Sequence, residues 1–192
     1  MNVIPYVIER EGNGERSYDL NSRLLKDRII KLTGPVNQQM ADIVTSELFY
    51  LESQDIKSPI KMYINSEGGE VISGLAIYDV MQHIKCPVMT IVNGLAASMG
   101  SVLLTGGTKG MRYAMPNSEI MIHEPSGGSQ GKASDMRISM EHMNRMHDNL
   151  KKIYVKHTGK SYEEVSDALD HGDNWMTLEE ALSFGLIDKI IE

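Results

Sequence analysis

The chain has 192 residues, enough for one domain with a full hydrophobic core, and 41% of them are apolar. Its formal net charge of −7 comes with scattered basic residues, so nothing in it reads as a nucleic-acid footprint. Cys86 is the single cysteine, which excludes an intramolecular disulfide and any cysteine-rich metal site and leaves it a packing role. Residues 1–11 lack the basic region and apolar core of a secretory leader, and no apolar run has the length of a membrane span. A soluble, cytoplasmic protein is expected.

In chain order, residues 28–32 read as a short strand ended by Gly34-Pro35. Residues 37–51 carry Met40, Ile43, Val44, Leu48 and Leu51 at helical spacing. Residues 60–65 alternate like a strand and lead into Ser66-Glu67-Gly68-Gly69, then a helix over 71–84. A buried strand over 87–92 and an apolar helix over 101–104 flank Asn93-Gly94-Leu95-Ala96-Ala97-Ser98-Met99-Gly100. Two short strands, 111–114 and 119–123, sit either side of Pro116-Asn117. A long helix covers 132–157, a shorter one follows, then a helix over 177–184 and a closing strand over 187–191. Repeated strand–helix units imply an α/β fold with a largely parallel sheet and right-handed crossovers. No repeat, low-complexity tract or linker divides the chain, so 1–192 is expected to be one domain.

The long helix carries Met136, Met140, Met143, Leu150 and Ile153 on one stripe. A helix of this length in a small domain is expected to extend past its own core, and its methionines suit a subunit interface.

Ser98 is a lone hydroxyl among small residues where a strand gives way to a helix, near the positive end of a helix dipole. That setting suits a nucleophile, and equally a helix cap. A serine nucleophile needs a base, and six histidines are available. His142 and His147 are five residues apart on the long helix, do not share a face, and are expected to be solvated, poor metal ligands. His83 and His157 read as helix-end residues, and His171 lies in a polar loop. His123 ends the apolar strand Ile120-Met121-Ile122, where catalytic groups tend to sit. Asp173 is a candidate to orient it, with Asp167 and Asp170 competing. Gly68-Gly69 can turn an N–H toward an oxyanion, although a hairpin-type turn explains the same glycines.

Together these pieces resemble the proteolytic subunit of the Clp protease, a family of serine peptidases. The likeness runs from Gly14-Glu15-Arg16-Ser17-Tyr18-Asp19 and Ser22-Arg23-Leu24-Leu25 to Glu179-Glu180-Ala181 and Gly185-Leu186-Ile187-Asp188. It is densest at Tyr63-Ile64-Asn65-Ser66, Ala96-Ala97-Ser98-Met99-Gly100, Pro116-Asn117-Ser118 and Met121-Ile122-His123. The resemblance implies a crotonase-like spiral of strand–strand–helix units, with an axial segment over 1–20 and a protruding handle over 125–160. It implies Ser98 as nucleophile, His123 as general base, Asp173 as its partner, and the N–H groups of Gly69 and Met99 as the oxyanion hole. It also implies two stacked seven-membered rings, fed with unfolded polypeptide by an ATP-driven AAA+ unfoldase that docks at positions including Leu24, Tyr63 and Tyr113. No cofactor or metal, no nucleic acid and no membrane are implied.

Several positions depart from the family pattern. Glu67 replaces a proline and Glu124 a glutamine, and both acids favour a protonated His123 if they lie close to it. The loop before Asp173 looks one residue longer, with Gly172 where an arginine of a ring-to-ring ion pair usually stands. Lys61 and His83 replace residues that are often aromatic in the docking groove, which points to an unusual unfoldase or a second kind of subunit. The readings from other classes are an acyl-CoA enzyme of the same fold and a non-catalytic partner subunit. Residues 1–5 begin close to where mature members of the family begin, so no long propeptide is expected.

Overall fold

The computed structural model describes residues 4–12 and 14–191. Residues 1–3, which carry the start of the expected axial segment and the propeptide expectation, lie outside the described residues. In chain order the elements are β1 (Tyr6–Glu11), β2 (Gly14–Asp19), α1 (Leu20–Lys26), β3 (Ile29–Thr33), α2 (Gln38–Gln54), β4 (Ile60–Ser66), α3 (Val71–His83) and β5 (Val88–Ala97). There follow α4 (Met99–Thr105), β6 (Arg112–Ala114), β7 (Glu119–Ile122), α5 (Ala133–Thr158), α6 (Tyr162–Leu169), β8 (Asn174–Met176), α7 (Leu178–Phe184) and β9 (Lys189–Ile190). Among the described residues no helix is long and apolar enough to cross a membrane.

The expected parallel sheet is present, in the order β3-β4-β5-β6-β9, with β7 pairing β5 and β8 pairing β7. Ile60, Met62, Ile64 and Ser66 of β4 are buried between exposed or half-exposed neighbours, the alternation read from the sequence. Below them α2 packs through Ala41, Val44, Leu48 and Leu51. Ile43, expected on that face, is 52% exposed, because the buried stripe is rotated away from it. Four elements were not legible: strands β1 and β2 of the antiparallel hairpin, helix α1, and strand β8.

The strand read as ending at Val92 instead runs on to Ala97, and it changes partner on the way. Thr90, Ile91 and Val92 pair with β6, whereas Leu95, Ala96 and Ala97 pair with β7. At the changeover the register against β4 slips, and Asn65 fills the gap: its Oδ1 accepts the N–H of Leu95 at 3.1 Å. A Cβ on Gly94 would lie 2.6 Å from that same oxygen, so the glycine makes room for the bend.

A charge pair joins β6 to the segment that leads into β9. Arg112 is 3% exposed, and its Nε and one terminal nitrogen donate to the two oxygens of Asp188 at 2.8 and 2.5 Å. The other terminal nitrogen donates to the carbonyls of Gly185 and His157, at 2.8 and 3.1 Å. One guanidinium thus ties β6 to the ends of α5 and α7. Burial pushes the Asp188 carboxyl up, but the bonds from Arg112 and from backbone N–H groups outweigh it and hold it below the usual carboxylate range.

Asp188→Ala strands a buried guanidinium and should cost about 3–5 kcal/mol in denaturant unfolding. The native carboxyl titrates below its unfolded value near 3.9, so its contribution is whole above about pH 4 and fades as acid carries the pH through the native value. Unfolding of the wild type followed from pH 7 to pH 2, beside Asp188→Ala, should show a difference that narrows only in that acid range.

Candidate active site

Ser98 stands at the junction of β5 and α4 with φ 52° and ψ −122°. Among the described non-glycine residues only Arg28 shares a positive φ. Such a backbone costs roughly 1–3 kcal/mol and needs support from its surroundings. The support is visible. The Ser98 N–H donates to the Met121 carbonyl at 3.0 Å, and its own carbonyl accepts from the N–H groups of Ser101 and Val102 and from the Ser101 hydroxyl at 2.6 Å. The side chain makes no capping hydrogen bond, so of the two roles open to Ser98 in the sequence, the cap is absent.

Gly68 and Gly69 join β4 to α3, a strand-to-helix connection and not the hairpin-type turn that competed to explain them. With φ +91°, Gly68 is wedged under the serine: a Cβ there would lie 2.7 Å from both the Ala97 carbonyl oxygen and the Ser98 Cβ. Gly69 bridges to Val36, but the bridge uses the Gly68 carbonyl and the Glu70 N–H. The N–H of Gly69 is left out of it. The N–H of Met99, first residue of α4, has no intrahelical partner by position.

His123 follows β7 directly. The antiparallel register of β7 and β8 sets Ile122 against Asn174, so the next residues along, His123 and Asp173, face one another. Their Nδ1 and Oδ1 atoms are 2.8 Å apart. The three-way choice among aspartates is thereby resolved as to contact: Asp167 meets His171 at 3.2 Å, and Asp170 meets Lys151 at 2.6 Å. Asp173 is 59% exposed, so its pair with His123 orients the ring and adds little stability.

Ser98, His123 and Gly69 open onto one cavity of about 70 Å³ whose apolar wall includes Val71, Leu150 and Tyr154. No hydrogen bond joins Ser98 to His123 in this conformation. A second, methionine-lined hollow of about 260 Å³, with Met140, Met143 and Met146, shares Val71 and Pro125 with the first. Tyr154 is a functional neighbour that sequence reasoning missed. It is buried at 2% exposure, and its hydroxyl bonds the Ser101 hydroxyl at 2.7 Å, which in turn holds the Ser98 carbonyl. Burial pushes its phenol up, so it stays protonated. On a helix read as an amphipathic stripe, one more apolar residue carried no signal.

The other histidines sort by surroundings. His83 and His142 are exposed. His147 is not solvated, contrary to expectation: it is half-buried, with Nε2 3.1 Å from Asp170, and burial followed by the Lys151 charge pushes its pKa down. His157 lies against Tyr78, and burial first, then Lys156 and Arg112, push it down to about 4. Tyr63 and Tyr113 are half-buried and share one row across the sheet, linked through Ile91 of β5. Leu24 lines a different cavity, of about 310 Å³, between α1, β3 and α2.

Compared with known protein families, residues 12–192 match the model of the Clp protease family. The parallel sheet and its helices are the crotonase-like fold of that family.

Gly68→Ala forces a methyl group into the underside of the Ser98 turn from a backbone that side chains avoid. It should lower stability by about 1–3 kcal/mol in denaturant unfolding, whereas Gly128→Ala, which meets nothing within 4 Å, should change it little.

Proposed function

Because the chain belongs to the Clp protease family, a family of serine peptidases, we propose that it is a serine endopeptidase cutting unfolded polypeptide inside two stacked seven-membered rings. The observation that carries the reading is the pairing of an uncapped, backbone-strained Ser98 with a His123 already oriented by Asp173 across one small cavity. In this mechanism His123 removes the proton from Ser98 as its Oγ attacks a peptide carbonyl, and later gives a proton to the leaving amine. Asp173 holds the tautomer and steadies the imidazolium. The N–H groups of Gly69 and Met99 receive the oxyanion, where one lost donor costs roughly 3–4 kcal/mol of barrier.

The substrate class follows from the walls. Val71, Leu150 and the methionine-lined hollow favour apolar side chains beside the scissile bond. The first turns of α5, where Met136, Ile138 and Met140 are exposed, suit contact between rings. The row of Tyr63 and Tyr113, with Leu24, suits an AAA+ unfoldase, and the buried lone cysteine suits a reducing cytoplasm. An acyl-CoA enzyme of the same fold needs neither the free hydroxyl nor the histidine–carboxylate pair.

Ser98→Ala should abolish peptide cleavage and fluorophosphonate labelling while native mass still reports fourteen chains; retained cleavage overturns the assignment. Asp173→Asn should lower kcat by about 10⁴-fold, and Asp170→Asn far less, in parallel assays of one fluorogenic peptide. Equal losses would place the orienting carboxylate elsewhere.

A further inference from the structure

Beside the His123–Asp173 pair, three segments distant in sequence converge on a second group of polar side chains. Glu124 directly follows His123, and its N–H donates to the Leu169 carbonyl at 3.0 Å. Asp170 closes the C-terminal end of α6. His147 and Lys151 are one turn apart on α5 and both reach Asp170: Nε2 of His147 is 3.1 Å from Oδ1, and Nζ of Lys151 is 2.6 Å from Oδ2. One ligand atom each from Glu124, His147 and Asp170 lie within 4.8 Å of one another. The His147 Nε2 atom is fully buried, yet it makes no hydrogen bond, because its approach to Asp170 has the wrong angle for one.

We propose that Glu124, His147 and Asp170 form a binding site for a divalent transition-metal ion, with zinc favoured by the donor set. An imidazole nitrogen and two carboxylate oxygens make a three-ligand set of the kind zinc takes, with a fourth position for water. Two ligands about 2.1 Å from a tetrahedral ion lie about 3.4 Å apart, close to the spacing of His147 and Asp170. The nitrogen donor disfavours calcium and magnesium, which seek oxygen cages. Lys151 is compatible with the ion: it occupies Oδ2 of Asp170 and leaves free Oδ1, the oxygen that faces His147. Its ammonium offsets the two carboxylates when no ion is bound, and as an outer partner it orients Asp170 when one is.

An ion here fastens the segment after His123 and the segment before Asp173 to the same turn of α5. It departs from the expectation that no metal has a role, and it places that role outside the bond-breaking step. The proposal does not rest on the peptidase reading, because its readout is bound metal.

Equilibrium dialysis of the full chain against Zn²⁺, with bound metal measured by elemental analysis, tests it. The wild type should hold one zinc per chain that excess Ca²⁺ and Mg²⁺ do not displace. Glu124→Gln, an exposed and isosteric change, and His147→Gln should each weaken that binding by about tenfold or more. Absence of stoichiometric binding, displacement by Ca²⁺, or wild-type affinity retained in both variants overturns the proposal. Unchanged unfolding midpoints of the metal-free variants separate loss of a ligand from loss of the fold.

Discussion

The site depends on one strand changing its neighbour within the sheet. Had β5 stayed with β6, it would have ended near Val92; by transferring to β7 it carries Ser98 to a point where the Met121 carbonyl holds its N–H. The same β7 delivers His123 two residues later, and its antiparallel register with β8 delivers Asp173. Serine, histidine and aspartate come from three places in the sequence, and backbone hydrogen bonds between β5, β7 and β8 bring them together. Rigid strands hold such geometry better than loops do.

A second support comes from the long helix. The chain of hydroxyls from Tyr154 through Ser101 to the Ser98 carbonyl joins the C-terminal turns of α5 to the strained turn. Lys151, also nearly buried, joins the same stretch of helix to the loop that leads into Asp173. The first turns of α5 have no such partners, and residues 133–142 are exposed throughout. The helix is therefore anchored where it passes the cavity and free where it projects.

Much of this was legible in the sequence because the signals were periodic. The alternation in β4, the helical spacing in α2 and the apolar run of β5 each bury the face they predict, Ile43 excepted. What was not legible follows from pairing at a distance. Strand β8 is three residues of which only Met176 is buried, so it carries no pattern of its own and exists because β7 offers an unpaired edge. The extension of β5 was hidden by Asn93 and Gly94, which break the apolar run that ends at Val92, whereas in the fold Asn65 occupies the bend. His147 looked solvated because helical spacing reports neighbours on its own helix, while Asp170 and Glu124 arrive from elsewhere. That Asp173 and not Asp170 meets His123 is likewise a question of register.

The dihedral angles at Ser98 lie where glycine is the comfortable residue and serine is not. Fold and chemistry therefore pull this position in opposite directions. Replacing the serine with glycine would relax the turn while deleting the hydroxyl, a trade of reactivity for thermodynamic ease. The strain at this position therefore gives no structural reason for a serine, and the exchange separates what the hydroxyl does from what the fold requires.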